Sequence, residues 1–406
     1  MTLTTGNRKQ DAKPGGYFPG REGNDPRLWG WVLTCIVAVF PVAVMFSTNA
    51  ADACLFVLLL SGIWVIVSRK SGLGYSFKTF LVRYWPLCLA MSSMLIAVFL
   101  NQLFVAGFRA KFYDLPLRFV MVPIIVYGLL ILPSGKMRHV QWGLIAAPVF
   151  CAVLLYIVTR GGVYRGLTEE YVGILLICFT NLTLLLGFLA FSTIKWDESR
   201  NNVARFLKLL AFFAALYSIF LSQTRASWIA AAVLALLSVG LFVRVSKKVF
   251  LISVVFCIAV FIALASFSKS FQARINEARS DIVKYMDGSN RYTSIGIRFQ
   301  LYQAAWTIFQ EHPLFGAGNA NYDRELEKIA ERGIIDPRVA RSGHSHNELL
   351  HRMAWHGLFG GIAVMLCTFL PLFYFFPYRH SEDRVLKTVA YMGMIFLYGF
   401  LFVRIE

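Results

Sequence analysis

Charge is scarce in this chain: 15% of its 406 residues are Asp, Glu, Lys or Arg, while 57% are hydrophobic and 15% aromatic. That balance excludes an ordinary water-soluble globular domain. Acidic side chains are the scarcer sign, 22 against 40 basic, which leaves a net charge of +18. Cysteine occurs seven times, as Cys35, Cys54, Cys88, Cys151, Cys178, Cys257 and Cys367, each inside an apolar run. None is placed for a disulfide framework or a thiolate zinc site. No Asp-x-Asp occurs anywhere, so the usual metal-nucleotide signature of sugar transferases is missing and metal-independent chemistry is expected.

What is present in abundance is apolar sequence in runs of spanning length. They cover 28–46, 51–68, 84–105, 117–133, 141–158, 172–194, 207–223, 227–243, 249–268, 354–376 and 388–403. A hydrocarbon core about 30 Å thick is crossed by about 20 residues of helix, so the expected fold is an all-α polytopic membrane protein with 11 visible transmembrane helices. The basic residues then give an orientation. Arg8, Lys9, Lys13, Arg21, Arg27, Arg69, Lys70, Lys78 and Arg83 fall in alternate connections, as do those around 136–138, 195–208, 244–248 and 379–387. By the positive-inside rule these connections, and the tail at 1–27, are cytoplasmic. The charge marks topology rather than a nucleic-acid partner. The tail has no cleavage-site pattern, and the first run is expected to be a retained helix.

The hydropathy is interrupted once, at 269–353, and topology counting puts this large, mainly helical loop outside. The domains expected are a cytoplasmic tail at 1–27, helices 1–9 at 28–268, the loop at 269–353 and the C-terminal helices at 354–406. Within the loop, Ile297 to Gln310 has helical periodicity, with Tyr302, Ala305, Trp306 and Phe309 forming an apolar stripe and Arg298 on the same face. The stripe packs on neighbouring helices or rests in the membrane interface. His312-Pro313 and Gly316-Ala317-Gly318 end the helix. The stretch 321–341 reads as a solvated helix and turn with no chemistry of its own.

Short outer connections normally avoid basic residues, yet these hold Arg109, Lys111, Arg118, Arg160, Arg165 and Arg225. Arg225 sits in the very short link Ser222-Gln223-Thr224-Arg225-Ala226-Ser227 between two apolar helices. A single boundary arginine can be a snorkelling anchor, whereas several converging imply an anionic ligand at the membrane surface. Guanidinium forks match phosphate oxygens, which makes a lipid pyrophosphate a natural candidate.

The densest chemistry lies at 343–357, where His344, His346, His351 and His356 are four of the chain's seven histidines. Ser345-x-x-Glu348 reads as a capping box that places His346 in the first turn of the following helix. The positive end of that helix would keep the imidazole neutral and able to accept a proton, as a general base must. Gly357, eleven residues on, falls nearly on the same face and would let a helix or lipid tail approach. A zinc site from His344, His346 and His351 is conceivable but has no standard spacing.

These residues resemble the O-antigen ligase family, within the group that includes O-antigen polymerases and protein O-oligosaccharyltransferases. The resemblance is carried by Arg225 between two spans, the large outer loop, Arg298-x3-Tyr302 followed by Glu311-His312-Pro313-Leu314-Phe315-Gly316-x-Gly318, and His346-Asn347 with Gly357. It implies transfer of a saccharide from undecaprenyl pyrophosphate to a lipid A-core hydroxyl, at the periplasmic face of a bacterial inner membrane and without a cofactor. It puts the essential histidine on His346 and the essential arginines on Arg225 and Arg298, with Arg160 and Arg165 as further members of a pyrophosphate clamp. A polymerase or protein glycosyltransferase would use the same residues on another acceptor. A transporter or flippase would instead show ionisable residues and broken helices at the bilayer midplane. Family members usually have twelve spans, so either one is missing here or two are fused.

Overall fold

In a computed structural model the chain is helical throughout the described residues, which are 27–68, 75–132, 134–159, 176–196, 202–222, 224–242 and 269–404, together with 248, 251, 252, 255 and 259. The helices are α1 (Arg27–Phe46), α2 (Thr48–Ser68), α3 (Phe77–Arg83), α4 (Trp85–Asn101), α5 (Asp114–Leu129), α6 (Val140–Thr159) and α7 (Leu176–Ser192). They continue with α8 (Asn202–Ser222), α9 (Arg225–Phe242), α10 (Lys269–Met286), α11 (Ser294–Glu311), α12 (Tyr322–Glu331), α13 (Glu348–Phe375) and α14 (Arg384–Arg404). Among the described residues eight helical segments are long and apolar enough to cross a membrane, and Ser227–Val239 is a shorter apolar stretch. This is a polytopic membrane protein. Residues 1–26 of the expected tail at 1–27, and most of the ninth run, 249–268, lie outside the described residues.

Helix α7 is the centre of the bundle, with 67% of its spanning segment buried, more than any other span. It packs on α6, α8, α9 and α14. Leu184, Leu185, Phe188 and Leu189 of α7 meet Leu144 and Ile145 of α6, Ala211 and Ile219 of α8, Leu234 of α9 and Ile395 of α14. A second packing group joins α2 to α5, and α4 to both α5 and α13. Prolines 41, 123, 148 and 371 sit inside helices α1, α5, α6 and α13. Such prolines are tolerated in a membrane because neighbouring groups satisfy the freed carbonyls. The six described cysteines lie inside these helices and form no disulfide among the described residues; Cys257 lies outside the described residues.

The loop region has its own core. Ala304, Ala305 and Ile308 of α11 pack with Tyr322, Leu326, Ile329 and Ala330 of α12, with Ile335 and Ala340, and with Ala354 of α13. Two expectations are corrected here. The stripe on α11 is rotated by one position: Leu301, Ala304, Ala305 and Ile308 are buried, while Trp306 remains 45% exposed. The small alanines, not the large rings, make the close contact. The 321–341 stretch is likewise more than a solvated helix, since α12 turns Tyr322, Leu326 and Ile329 into that core. Helix α11 itself starts earlier than the pattern suggests, because Thr293 caps it by accepting the Gly296 N–H at 3.1 Å.

Candidate active site

Helix α13 begins at Glu348, six residues before the apolar run that marks it in the sequence, and its cap is Asn347 rather than Ser345. The Asn347 side chain accepts the Leu350 N–H at 3.1 Å. His346 is therefore not in the first turn; it precedes the cap and takes φ 52°. Among the described residues it is the non-glycine residue with positive φ, a conformation that costs about 1–2 kcal/mol for an L-residue. Strain of this kind collects where geometry serves function. The expected capping box fails because the Ser345 and His346 amides are taken by ring nitrogens: Ser345 N–H reaches His351 Nδ1 at 3.4 Å and His346 N–H donates to His344 Nδ1 at 2.9 Å.

A train of rings continues from this turn. His344 and His351 have centroids 4.2 Å apart, His351 and Trp355 4.1 Å, and Tyr322 meets His351 edge-on at 5.1 Å. Burial lowers the pKa of His344, opposed by nearby Glu348 and reinforced by His346 and Arg352. Burial also raises the Tyr322 hydroxyl. On the same helix Arg352 Nε donates to Glu348 at 2.7 Å, an ion pair with both side chains largely enclosed.

Gly357 does something other than admit a helix or lipid tail. At φ 62°, ψ −147° it interrupts α13, and the Pro313–Gly318 turn is seated in the gap. Leu358 N–H donates to Pro313 O at 2.8 Å, Ala317 N–H to Ala354 O at 2.9 Å and Gly318 N–H to Trp355 O at 2.9 Å. A Cβ at Gly357 would collide with the Leu314 carbonyl and stand 2.7 Å from the Gly316 nitrogen. Asn101, buried at the end of α4, completes the junction by donating to Phe315 O at 2.6 Å and Trp355 O at 3.1 Å. Asn101 was not singled out by the sequence, and His344 entered only as a conceivable zinc ligand. The amide pair Asn101-Gln102 in an apolar run was the available signal for Asn101.

The sequence-marked arginines separate into three cases. Arg298 lies on α11, partly buried, and among the described residues it has no ion-pair or hydrogen-bond partner. Arg225 opens α9, directly after the turn that leaves α8. That turn is fixed by a buried chain in which Thr224 Oγ1 donates to Ser227 Oγ at 2.6 Å and Ser227 Oγ to Asn181 Oδ1 at 2.5 Å. Arg160 and Arg165 lie outside the described residues, and so does the side chain of Arg225. Arg118 is removed from any anion cluster, because it forms a bidentate pair with Asp52 and a second bond to Asp114 at 3.1 Å.

Among the described residues, the group whose side chains could offer three metal ligands is Glu311, His312 and Glu325, with atoms within 4.8 Å, and not the histidine trio. They line an open cleft with Lys328 and Arg332. Both carboxylates already hold a cation, Glu311 with Arg332 at 2.5 Å and Glu325 with Lys328 at 2.8 Å.

Residues 210–365 match a family described as O-antigen ligase. The chain is 29% identical over 195 residues to an uncharacterized protein of Haemophilus influenzae, covering 48% of this chain and 49% of that one. It is 27% identical over 215 residues to an O-antigen ligase of Escherichia coli, covering 52% and 50%. The alignments thus span about half the length of these curated relatives. Arg225, Arg298, His346 and Gly357 all fall inside the matched region, whereas Asn101, Arg160 and Arg165 fall before it. Through residues 210–365 the chain is similar to the O-antigen ligase family.

Proposed function

We propose that the protein transfers a saccharide from undecaprenyl pyrophosphate to a hydroxyl of the lipid A core, at the periplasmic face of the bacterial inner membrane. The observation that carries this is the matched region itself, which holds His346 in a constrained turn at the head of a membrane helix and, in the adjoining loop region, an Arg298 with no ion-pair or hydrogen-bond partner among the described residues. Both substrates keep their lipid parts in the bilayer and meet beneath the loop at 269–347. His346 removes the proton from the acceptor hydroxyl as its oxygen attacks the anomeric carbon. The bond from that carbon to the pyrophosphate oxygen breaks, and the departing diphosphate takes the electron pair. Arg225 and Arg298, with Arg160 and Arg165 from the preceding connection, neutralise the charge that develops there. Direct attack inverts the anomeric centre. The glycosyl pyrophosphate bond supplies the driving force, so neither a nucleotide nor a metal enters the scheme.

A transport reading would place a broken helix around a cavity. The break at Gly357 is instead filled by the Pro313–Gly318 turn and Asn101. The test is saccharide transfer by His346→Ala and Arg225→Ala proteins inserted normally in membranes. Loss of a general base lowers the rate by about 10²–10⁴-fold; near wild-type transfer by both variants would sink the assignment.

A further inference from the structure

The two amides ahead of α13 are unusual in donating to imidazole nitrogens rather than to oxygens. The shorter of the two bonds, from His346 N–H to His344 Nδ1, has the connectivity of an Asx-turn, where a side-chain acceptor takes the N–H two residues on. This chain builds the same turn with oxygen at Asp287, Asn290, Asp336 and Asp383, with distances of 2.8, 2.9, 2.8 and 2.8 Å. At His344 a ring nitrogen stands in the place of the carboxylate or amide oxygen. Only an unprotonated Nδ1 can accept, so the ring must be neutral with its proton on Nε2. Burial keeps it so, and the ring is held from its other side by His351.

We propose that His344 is a positioning residue for His346: its Nδ1 holds the His346 backbone at positive φ and thereby sets where the His346 ring meets the acceptor hydroxyl. The proposal rests on the reading of His346 as the general base. It adds that the first histidine of the His344-Ser345-His346 triplet works through the main chain and needs no contact with substrate.

The experiment compares His344→Asn, His344→Asp and His344→Gln in the full-length protein in membranes, with inserted amounts matched. Asn and Asp keep an acceptor where Nδ1 stands; Gln carries its acceptor one bond farther out. The Asn protein should keep kcat within about threefold of wild type, the scale of one altered hydrogen bond. The Gln protein should lose about 10- to 100-fold in kcat with KM unchanged, the effect expected of a misplaced base. A residue that only fills space would favour Gln, which is nearer to histidine in size. Gln activity equal to or above that of both Asn and Asp overturns the proposal, as does inactivity of both acceptor-bearing variants. If Asn fails to accumulate, Asp bears the same test, and accumulation of Gln alone also overturns it. His346→Ala is run alongside: if it transfers normally the general-base reading has failed, whereas an inactive His346→Ala beside a fully active His344→Gln fails the positioning role alone.

Discussion

Substituting Gly357 by alanine tests the junction between the loop region and its membrane helix, and the structure allows the cost to be apportioned. The backbone at φ 62°, ψ −147° borders a region that only glycine occupies comfortably, so strain alone costs about 1–3 kcal/mol. The new methyl group would also overlap the Leu314 carbonyl, which is main chain and cannot swing aside. Relief requires the Pro313–Gly318 turn to lift from α13, which weakens its bonds to Ala354, Trp355 and Leu358. At about 1 kcal/mol for each of the three bonds, the total comes to roughly 4–6 kcal/mol. Gly333 supplies the control, because it has φ 73° with nothing within 4 Å of an added Cβ. Gly333→Ala should cost only the strain of a left-handed residue, about 1–2 kcal/mol. Thermal unfolding of both variants in detergent micelles, followed by tryptophan fluorescence, gives the difference directly. If Gly357→Ala were no less stable than Gly333→Ala, the seated turn would contribute nothing and the account of the junction would be wrong.

Two further outcomes follow from neighbouring groups. Asn101 has two amide hydrogens for the carbonyls of Phe315 and Trp355; Asn101→Ala should lower stability by about 1–3 kcal/mol, and Asn101→Asp by more, since a carboxyl group offers at most one donor there. An Asp variant as stable as Ala in the same unfolding assay would contradict this. The second outcome concerns pH. Burial holds the His344 pKa below its ordinary value of 6.5, so the unfolded chain binds a proton there before the folded protein does. Stability from this group is complete above pH 6.5 and declines as the pH falls below it. Comparing unfolding temperatures at pH 7.5 and 5.5, wild type should lose more than His344→Asn; equal losses would show that the ring is not held neutral by folding.

The spans were legible because hydropathy over about 20 residues is a strong signal, and α1, α2, α4, α6, α7 and α8 begin and end close to the runs that mark them. The start of α13 was not. Its first turns carry Glu348, His351, Arg352 and His356, which depress any hydropathy window, although Glu348 and Arg352 neutralise each other one turn apart. A window sees two charges where the fold holds one internal pair. The cap was misplaced for a related reason. Ser345 and Asn347 are both good cap residues, and the choice was made by the neighbouring rings of His344 and His351, whose nitrogens claimed the preceding amides in a way no capping pattern encodes. In α11 the eye follows Trp306 and Phe309, but close packing on α12 selects Ala304 and Ala305, whose small size carries no pattern signal.

The junction explains how residues on separate segments come to share one frame. Arg298 lies 13 residues before Glu311, the end of α11, and His346 lies 11 residues before Gly357. Along a helix the first interval is about 20 Å, and the helical part of the second, Glu348 to Gly357, is about 14 Å. Both segments run back from the place where Pro313 meets Leu358 and Ala317 meets Ala354, and α11 packs against α13 between. Arg298 and His346 thus stand toward the free ends of two arms joined at one pivot. A tilt of a few degrees at the pivot moves such ends by about 1 Å, a displacement sufficient to cost about 10²-fold in a positioned reaction. The glycine break, the buried Asn101 and the seated turn are then best understood as the fixing of an angle. A continuous helix at 357 would preserve the span and lose the register between loop and membrane on which the proposed donor and acceptor site depends.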